Sequence, residues 1–517
     1  MKANAAHRSA RDAWALRLYA ALTWAIQPLL RLKLARRARL EPGYGAFVEE
    51  RFGFYQQPPA SATLSGASKS GSPLIWLHAV SLGETRTAAL LLPLLRQRFP
   101  GMRLLLTHST DTGRTEGQKL LLPGDIQVWL PWDSQAAVSR FFDHFQPGFG
   151  LLMETEVWPL LLDAARLRKI PMLLLNARLS DKSLHQALRL AALARPAYAN
   201  LTAVLAQTEN DASRFRQLGA QVTDVLGNIK FDATPDAAQQ AQGRAWRQAL
   251  QARGVRVLLL ASSREGEESE FFKAFRAFDQ QTRARAAINL GAVDRMTGEV
   301  ASKPQQHLRI RALVVPRHPQ RVDEVVQIAA QQGLRVARRS NWFRELADDP
   351  PRLASASASA SASASAAYEA DIWIGDSLGE MALYYSIASA ALLGGSFGPW
   401  GGQNLIEAAA CDCPVYMGPH TFNFAEVAQQ AETEGAAFRA ADMSSAFAAA
   451  TGAIAEMAGM PPQFNAVGDS ADADLLGNRV ARPSSQASAQ FAARHRGAAQ
   501  RTVEAIDRLL ADCTSVG

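Results

Sequence analysis

Short apolar runs alternate with stretches of helical periodicity along most of this chain of 517 residues. One series of runs lies between residues 74 and 226, and a second series begins near residue 256. Strands that alternate with helices form a parallel sheet with helices on both faces. We therefore predict an α/β protein with two doubly wound domains, joined near residues 232–250. The predicted strands are 74–78, 103–107, 150–153, 171–175, 203–206, 224–226, 257–261, 312–315, 371–374, 390–393 and 414–417.

The length of the chain also requires more than one hydrophobic core. The predicted divisions are an N-terminal segment at 1–45, a first α/β domain at 46–235, a second at 236–490 and a C-terminal helix at 491–517. Three polar segments look inserted: a Ser/Ala tract near 353–367, which we expect to be disordered, and the weakly patterned stretches 276–308 and 462–486. Because ligands of doubly wound sheets bind outside the carboxyl ends of the strands, we expect the two domains to face a cleft.

The N-terminal segment carries most of the net charge of +7. Residues 1–51 contain ten lysine or arginine residues and four aspartate or glutamate residues. The rest of the chain is nearly neutral, which argues against a nucleic-acid partner. An uncharged, mostly apolar stretch at 18–30 precedes a basic cluster of Arg31, Lys33, Arg36, Arg37 and Arg39. This pattern predicts an uncleaved membrane anchor or an interfacial helix, with the body in the cytoplasm. A core helix of a soluble domain is the alternative.

A glycine-dense loop at 394–402 follows a predicted strand and leads into a helical pattern. Glycine lets the backbone approach a ligand closely, and a helix start presents free N–H groups to an anion. Asn404 and Glu407 are three residues apart, so both can face one ligand from the first helical turn. The segment predicts a nucleotide or phosphate cradle. A tight turn between strand and helix, with no ligand, is the alternative.

Charged residues follow other predicted strands. Glu84 opens a helix after the first strand, where a partly buried carboxylate could take a proton from an attacking hydroxyl. Glu154 and Glu156 follow a later strand beside Trp and Pro. Both acidic sites also fit ordinary helix starts, since acids stabilise the first turn. Lys230 and Arg317 are cations that could complete a positive pocket for a phosphate leaving group, or could be surface charges.

These residues lie in motifs that resemble those of the Kdo transferases of lipopolysaccharide synthesis, which transfer 3-deoxy-D-manno-octulosonic acid from CMP-Kdo to lipid A precursor. The motifs occur in the order of the family from about residue 14 to 430. They are 81–84, 153–159, 176–180, 227–232, 315–319, 375–380, 402–407 and 417–424.

The resemblance implies an inverting, metal-independent glycosyltransferase of GT-B type, with two Rossmann-like domains and no cofactor, at the cytoplasmic face of a Gram-negative inner membrane. Glu84 then resembles the general base, and Glu154 with Lys230 resembles the pair that stabilises the transition state. The implied partners are the CMP-Kdo donor, the lipid A precursor and the membrane surface. The residues implied to bind substrate are Ser262, Pro316, Arg317, His318, Gly379, Glu380, Met381, Gly402, Asn404, Leu405, Ile406 and Glu407. The chain departs from the family at Gln403, where many relatives have His, and in the filling of the glycine loop at 397–400.

Other functions remain as alternatives at this point. A nucleotide-sugar epimerase could have the same two-domain build, but it needs no lipid acceptor. A catalytically inactive protein could bind a nucleotide sugar at the membrane surface. A dehydrogenase is disfavoured because no Gly-x-Gly-x-x-Gly follows a strand. Asp472 and Asp474 form an Asp-x-Asp in a polar segment, and we assign no metal to them.

Overall fold

The computed structural model describes residues 9–57, 73–291, 309–342, 370–459 and 482–514. The chain divides into two compact units. Unit 1 runs to Asp232 and resumes at His495, and unit 2 is Ala233–Arg494. The Ser/Ala tract at 353–367 and the Asp-x-Asp at 472–474 lie outside the described residues.

Each unit is built on a seven-stranded sheet in which all pairs of neighbouring strands are parallel. The strands of unit 1 are β1 (Leu74–His78), β2 (Arg103–His108), β3 (Ile126–Trp129), β4 (Phe149–Met153), β5 (Met172–Ala177), β6 (Ala203–Ala206) and β7 (Val222–Val225). Their order is β3-β2-β1-β4-β5-β6-β7, so the order reverses between β1 and β4. This reversal is the switch point at which a doubly wound sheet opens a crevice for ligands.

The strands of unit 2 are β8 (Val255–Ser263), β9 (Arg309–Pro316), β10 (Val336–Arg338), β11 (Ile372–Ile374), β12 (Ala390–Leu393), β13 (Val415–Met417) and β14 (Ala437–Arg439). Their order is β10-β11-β9-β8-β12-β13-β14. The switch point of this sheet therefore lies between β8 and β12.

Helices connect the strands of both sheets. Those of the first unit are α1 (Ala10–Ala25), α2 (Gln27–Leu40), α3 (Leu82–Arg98), α4 (Asp111–Gln118), α5 (Gln135–Phe145), α6 (Pro159–Leu167), α7 (Asp181–Arg189), α8 (Ala191–Ala199) and α9 (Glu209–Gln217). Then follow α10 (Ala237–Gln251), α11 (Glu267–Gly291), α12 (Val322–Gln331), α13 (Arg339–Trp342), α14 (Met381–Ile387), α15 (Ile406–Ala410), α16 (Ala425–Thr433), α17 (Met443–Met457), α18 (Ser485–His495) and α19 (Ala498–Thr514). Short 3₁₀ helices are Pro42–Gly45, Val48–Phe52, Ile229–Asp232, Pro319–Arg321 and Phe422–Phe424.

The central strands are continuous apolar runs because both faces of each sheet are buried. In unit 1, Trp76 and Leu105 point into the core on one face, whereas Ile75 and Leu104 point into the core on the other. Strands buried on both faces lose the polar alternation of a half-exposed sheet. This property is what made the central strands recognisable in the sequence.

The sequence-based prediction missed three strands, β3, β10 and β14, and each of them lies at the edge of its sheet. β10 has no fully buried residue, and β14 has only one. An edge strand pairs on one side only, so it needs fewer apolar residues and leaves a weaker signal. The polar segment at 276–308 was also misjudged in part, because α11 continues through it to Gly291.

The N-terminal helices α1 and α2 meet at Ile26. α1 packs against α6 and α8. The Tyr19 hydroxyl is hydrogen-bonded to the buried Asp133 carboxylate, which also accepts the N–H groups of Leu160 and Leu161 at the start of α6. Throughout the described ranges, no helix combines the length and the apolar character needed to cross a bilayer.

The C-terminal helix α19 belongs to unit 1 and completes its core. Val503 and Ile506 are buried with the residues of β1, β2 and β4 on one face of the sheet. The Asp232 carboxylate accepts the N–H groups of Gly497 and Ala499, and so caps the start of the helix. Packing and capping together fix the chain end to the segment that carries Lys230.

We expect Ile506→Ala to lower the free energy of unfolding by about 2–5 kcal/mol, since a fully buried side chain would leave a cavity. Arg508→Ala is the matched control on the same helix, because Arg508 is 62% exposed; its effect should stay within about 0.5 kcal/mol. Urea unfolding followed by circular dichroism measures both variants. Equal small losses would show that α19 does not belong to the core.

Candidate active site

Glu84 lies in the first turn of α3, at the carboxyl end of β1. The Val80 N–H donates to its Oε2 at 2.6 Å, and the Ser81 hydroxyl lies 3.4 Å from Oε1. Ser81 is also the N-cap of α3. The structure therefore shows the contacts expected of an ordinary acidic residue at a helix start. These contacts also fix the Glu84 carboxylate in one orientation.

Glu154 follows β4 directly and is 4% exposed. Its backbone is left-handed, with a φ of 59°, which is an unusual conformation for a residue with a side chain. The Lys230 ammonium donates to Oε1 at 2.6 Å, and the Arg178 Nε donates to Oε2 at 2.9 Å. Each carboxylate oxygen of Glu154 thus has its own cation.

Lys230 is positioned by two asparagines. Asn176, at the end of β5, accepts the Ile229 N–H on its Oδ1 at 3.0 Å. Asn228 accepts the Lys230 N–H at the same distance. Asn176 also has a left-handed backbone, with a φ of 49°. The loop after β7 is therefore held against the ends of β4 and β5, and this brings Lys230 to Glu154.

Arg178 was not predicted as a site residue, although it lies in the motif at 176–180. Nothing in its sequence position shows that it faces Glu154, because the contact joins loops 24 residues apart. His78 was missed as well. This fully buried side chain ends β1, and its Nε2 lies 3.9 Å from the Glu156 carboxylate. Glu156 also accepts the indole N–H of Trp158, next to the helix that starts at Pro159.

The two carboxylates at the switch point of unit 1 have opposite electrostatic environments. Burial, and then the negative charge of Glu154, raise the pKa of Glu84 to about 7. Burial would also raise the pKa of Glu154, but the Lys230 and Arg178 cations outweigh it and lower that pKa below the ordinary value. Near neutral pH, Glu84 can therefore exchange a proton while Glu154 stays ionised, which is the division of roles typical of acid–base catalysis.

In unit 2, the glycine loop packs onto the end of β8 at the second switch point. A Cβ at Gly394 would lie 2.4 Å from the Ser262 carbonyl oxygen, so only glycine fits there. Ser262 is itself left-handed, with a φ of 56°. The buried Glu267 carboxylate accepts the N–H groups of Gly395 and Phe397 at 2.8 and 3.1 Å. Glu267 thus holds the loop at the crevice, a role that the sequence analysis did not assign.

The predicted residues after β9 lie beside this loop. Pro316 ends the strand, and the Arg317 N–H donates to the Ser263 carbonyl at 3.0 Å. His318 accepts a hydrogen bond from Arg264 on its Nε2. Ser262, Arg317 and His318 are therefore brought together at the carboxyl ends of β8 and β9.

Gly379, Glu380 and Met381 lie at the start of α14, after β11. The Glu380 carboxylate is bonded to Arg339 at 2.7 Å and to the hydroxyls of Ser377 and Tyr384. Gly379 accepts a hydrogen bond from the Gln239 side chain on its carbonyl. The Glu380 carboxylate is thus already hydrogen-bonded by side chains of unit 2. Its contact with a substrate stays a prediction.

The segment at 402–407 forms the entry to α15, which is only one turn long. Asn404 accepts the Ile406 N–H on its Oδ1 at 3.0 Å. This N–H is one of the helix-start donors that were expected to face an anion, and here it is hydrogen-bonded to a side chain. Leu405 and Ile406 are each 1% exposed. Gly402 bonds to the Gly395 carbonyl at 2.7 Å and closes the loop. Glu407 follows in the same turn.

No group of three or more His, Cys, Asp or Glu side chains is arranged to hold a metal ion in the part of the chain that the structure describes. The charged groups at the two switch points are carboxylates and cations. Unit 1 holds a proton-exchanging carboxylate beside a fixed ion pair, and unit 2 holds backbone loops and cations suited to an anionic ligand.

Known proteins are similar to this chain in sequence. A family model described as "3-Deoxy-D-manno-octulosonic-acid transferase (kdotransferase)" matches residues 47–233. The chain is 38% identical to the 3-deoxy-D-manno-octulosonic acid transferase of Bordetella pertussis over 491 residues, which are 93% of this chain and 96% of the relative. It is 28% identical to the transferase of the same name from Haemophilus influenzae, covering 79% and 83% of the two chains. Among solved structures, the C-terminal CMP-Kdo binding domain of WaaA from Acinetobacter baumannii is similar with a TM-score of 0.32 and 22% identity, over 43% of this chain and 92% of that one.

The 38% identity over nearly the whole chain makes this protein a glycosyltransferase, and its two parallel α/β units agree with the build predicted for the GT-B class. The chain belongs to the 3-deoxy-D-manno-octulosonic acid transferase family. This membership confirms the predicted enzyme class and argues against both the epimerase and the inactive binding protein.

The raised pKa of Glu84 predicts a stability effect with a definite sign. The folded state holds this proton more tightly than the unfolded state, so the stabilisation is complete below the ordinary pKa of a glutamate and is lost as pH rises through about 7. As the pH rises from 5 to 8, the wild type should therefore lose stability relative to Glu84→Gln, by roughly 3 kcal/mol at most. Urea unfolding at both pH values measures the difference.

Glu116→Gln is the control for this experiment, because the Lys119 ammonium lowers the pKa of the Glu116 carboxyl. It should show no gain at pH 8. If the stability difference between Glu84→Gln and the wild type is the same at both pH values, the pKa of Glu84 is not raised in the folded protein.

Proposed function

We propose that the protein transfers Kdo from CMP-Kdo to a lipid A precursor, with inversion at the anomeric carbon and without a metal ion. The observation that carries this proposal is the cluster of Glu84, Glu154 and Lys230 at one switch point. One carboxyl there exchanges its proton near neutral pH, and its neighbour is a fixed anion. Membership in the Kdo transferase family supports the choice of sugar.

In the proposed reaction, Glu84 is the general base. Its carboxylate takes the proton of the acceptor hydroxyl while the hydroxyl oxygen forms a bond to the anomeric carbon of Kdo. The bond from that carbon to the phosphate oxygen breaks, and its electron pair leaves with CMP. Attack from the face opposite to CMP inverts the configuration. Because the pKa of Glu84 is about 7, the base is available at physiological pH and still strong enough to accept the proton.

The transition state has positive charge on the sugar and growing negative charge on the phosphate. Glu154 and Lys230 supply one charge of each sign, and the asparagines that hold the loop keep Lys230 in place. Such fixed charges stabilise a transition state without having to reorganise during the reaction. Arg178 keeps Glu154 ionised and is therefore a positioning residue.

Unit 2 binds the donor in this proposal. Arg317 and His318 would face the phosphate from the end of β9, while Ser262 and Gly402 would line the crevice with backbone. The donor-binding set is completed by Pro316, Gly379, Glu380, Met381, Asn404, Leu405, Ile406 and Glu407. Leu405 and Ile406 would act through their main chain, since their side chains are buried. Arginine and lysine neutralise the leaving phosphate, so we expect a chelator to leave the rate unchanged.

We further propose that the enzyme works at the cytoplasmic face of the inner membrane and that α1 lies on the bilayer surface. Trp14, Leu18 and Leu22 are spaced by four residues and are 67%, 72% and 57% exposed, which forms an apolar stripe along one side of α1. Lys33 and Arg36 are exposed on the adjoining α2. An apolar stripe beside cations is suited to an anionic lipid surface, where the acceptor lipid also resides.

Glu84→Gln should reduce kcat by about 10²–10⁴-fold because no other group takes the acceptor proton. Its affinity for CMP should match the wild type. The wild-type rate should also fall as pH drops below about 7, where Glu84 becomes protonated. Mass spectrometry of the lipid formed from CMP-Kdo and lipid A precursor measures the rates.

Glu116→Gln, on the helix after β2, is the matched control and should keep full activity. Turnover of Glu84→Gln within a few-fold of the wild type, with normal CMP binding, would exclude Glu84 as the base. A wild-type protein that forms no Kdo-lipid product would refute the proposed reaction as a whole.

Replacing Trp14, Leu18 and Leu22 together by Ser should release the protein from vesicles of anionic phospholipid, because the apolar stripe is lost. Serine at Leu122, Leu167 and Leu378, which are 53%, 62% and 81% exposed, is the control and should leave binding unchanged. Co-sedimentation with vesicles measures the bound fraction. Equal loss in both variants would argue against a specific membrane surface on α1.

A further inference from the structure

Arg264 follows β8 and reaches across the second switch point, although no role has been given to it so far. Its guanidinium carbon lies 4.4 Å from the centre of the Trp400 ring. Its Nη1 donates to the Nε2 of His318 at 2.5 Å. Its Nε lies 3.5 Å from the carboxylate of Glu265, a side chain that is 47% exposed. The guanidinium is therefore held between an aromatic ring and an imidazole.

The backbone around Arg264 is fixed by a single carboxylate. Glu267 accepts the Arg264 N–H at 2.8 Å with the oxygen that also accepts the Gly395 N–H. The stem of Arg264 passes over Gly395, where an added Cβ would lie 3.5 Å from the arginine Cγ. Glu267 thus ties the loop after β8 to the loop after β12, and Arg264 is held in place before any ligand arrives.

Arg264 also lies between two of the segments proposed to bind the donor. His318 is the neighbour of Arg317 in sequence, and it contacts Arg264 directly. On the other side, Gln403 precedes Asn404, and its Nε2 would lie 3.1 Å from a Cβ at Gly395, under the arginine stem. A ligand that contacts both segments would therefore meet the guanidinium.

The contact with Trp400 bears on what Arg264 can bind. Since the guanidinium carbon lies over the indole ring, a cation–π contact holds the group, and the guanidinium has more N–H donors than the His318 hydrogen bond uses. Two parallel N–H groups match the two oxygens of a carboxylate, and His318 takes only one of the donors. A tryptophan that is 41% exposed beside a partly buried arginine leaves the edge of this pair open to a ligand.

We propose that Arg264, supported by Trp400 and His318, binds the carboxylate of the sugar in the donor. This inference rests on the proposed function, in which Arg317 and Lys230 already neutralise the phosphate. It assigns a separate cation to the second anionic group of a ulosonic acid donor. A site with an arginine committed to that carboxylate would favour nucleotide sugars that carry one, because without it the arginine keeps only the half-exposed Glu265 carboxylate, 3.5 Å from its Nε.

The test compares a ligand with the sugar carboxylate and one without it. Arg264→Gln should raise the KM for CMP-Kdo by about tenfold or more, since a charge-assisted pair is lost. Its inhibition constant for CMP should stay within about twofold of the wild type. Arg264→Lys keeps the positive charge but not the paired N–H groups of the guanidinium, so its KM for CMP-Kdo should lie between those of the wild type and Arg264→Gln. Trp400→Leu removes the stacking partner and should raise the same KM less strongly.

Arg283→Gln is the matched control, as this arginine is 67% exposed on α11 and pairs with Asp279. Its KM for CMP-Kdo and its CMP inhibition should both equal those of the wild type. Thermal unfolding of each variant checks the fold, and Arg264→Lys keeps the test decisive if the glutamine variant is unstable.

Two results would overturn the inference. If Arg264→Gln weakens CMP and CMP-Kdo by the same factor, the arginine contacts the nucleotide and not the sugar. If neither constant changes, Arg264 does not touch the donor. A wild-type protein that binds CMP but neither binds nor uses CMP-Kdo would instead refute the proposed function, and the inference would fall with it.

Discussion

The ion pair between Lys230 and the buried Glu154 is the interaction on which the first site depends. It joins the loop after β7 to the end of β4 at 2.6 Å, with Arg178 on the other carboxylate oxygen. An unpaired buried carboxylate would take up a proton, so the two cations are what keep Glu154 negative. That fixed negative charge, added to burial, raises the pKa of Glu84 to about 7. The two cations therefore keep Glu154 ionised, and its charge adds to the larger effect of burial on the pKa of Glu84.

The fold explains why these groups meet. Glu84 and Glu154 follow β1 and β4, the neighbouring strands at which the order of the first sheet reverses. Arg264 and the glycine loop follow β8 and β12, the corresponding strands of the second sheet. In each unit the connecting helices leave the sheet on opposite faces at this point, and the loops between them can hold polar groups. The left-handed residues Glu154 and Ser262 lie at these strand ends, where backbone strain accompanies function.

Much of this arrangement could be predicted from the sequence. The central strands were recognisable as continuous apolar runs, whereas β10 and β14 were missed because they are edge strands with few buried residues. The edge strand β3 was missed although three of its four residues are buried. Glu84, Glu154 and Lys230 were predicted because each follows a strand within a family motif, and the structure brings Lys230 into contact with Glu154. Arg178 and Arg264 were not, since their significance is a contact with another loop, which spacing along the chain does not reveal. The hydrogen bond from the Ile406 N–H to the Asn404 side chain was equally invisible, because it depends on the orientation of one side chain.

Two neighbouring carboxyls of unit 1, Glu84 and Glu154, have pKa values displaced in opposite directions. Infrared titration of the wild type, with Glu84→Gln and Glu154→Gln to assign the bands, measures both groups directly. We expect the Glu84 carboxyl to lose its proton near pH 7, and the Glu154 carboxyl to ionise at a pH below the ordinary range of a glutamate. A Glu84 band that titrates near its ordinary pKa, or a proton that resides on Glu154 at neutral pH, would contradict this expectation.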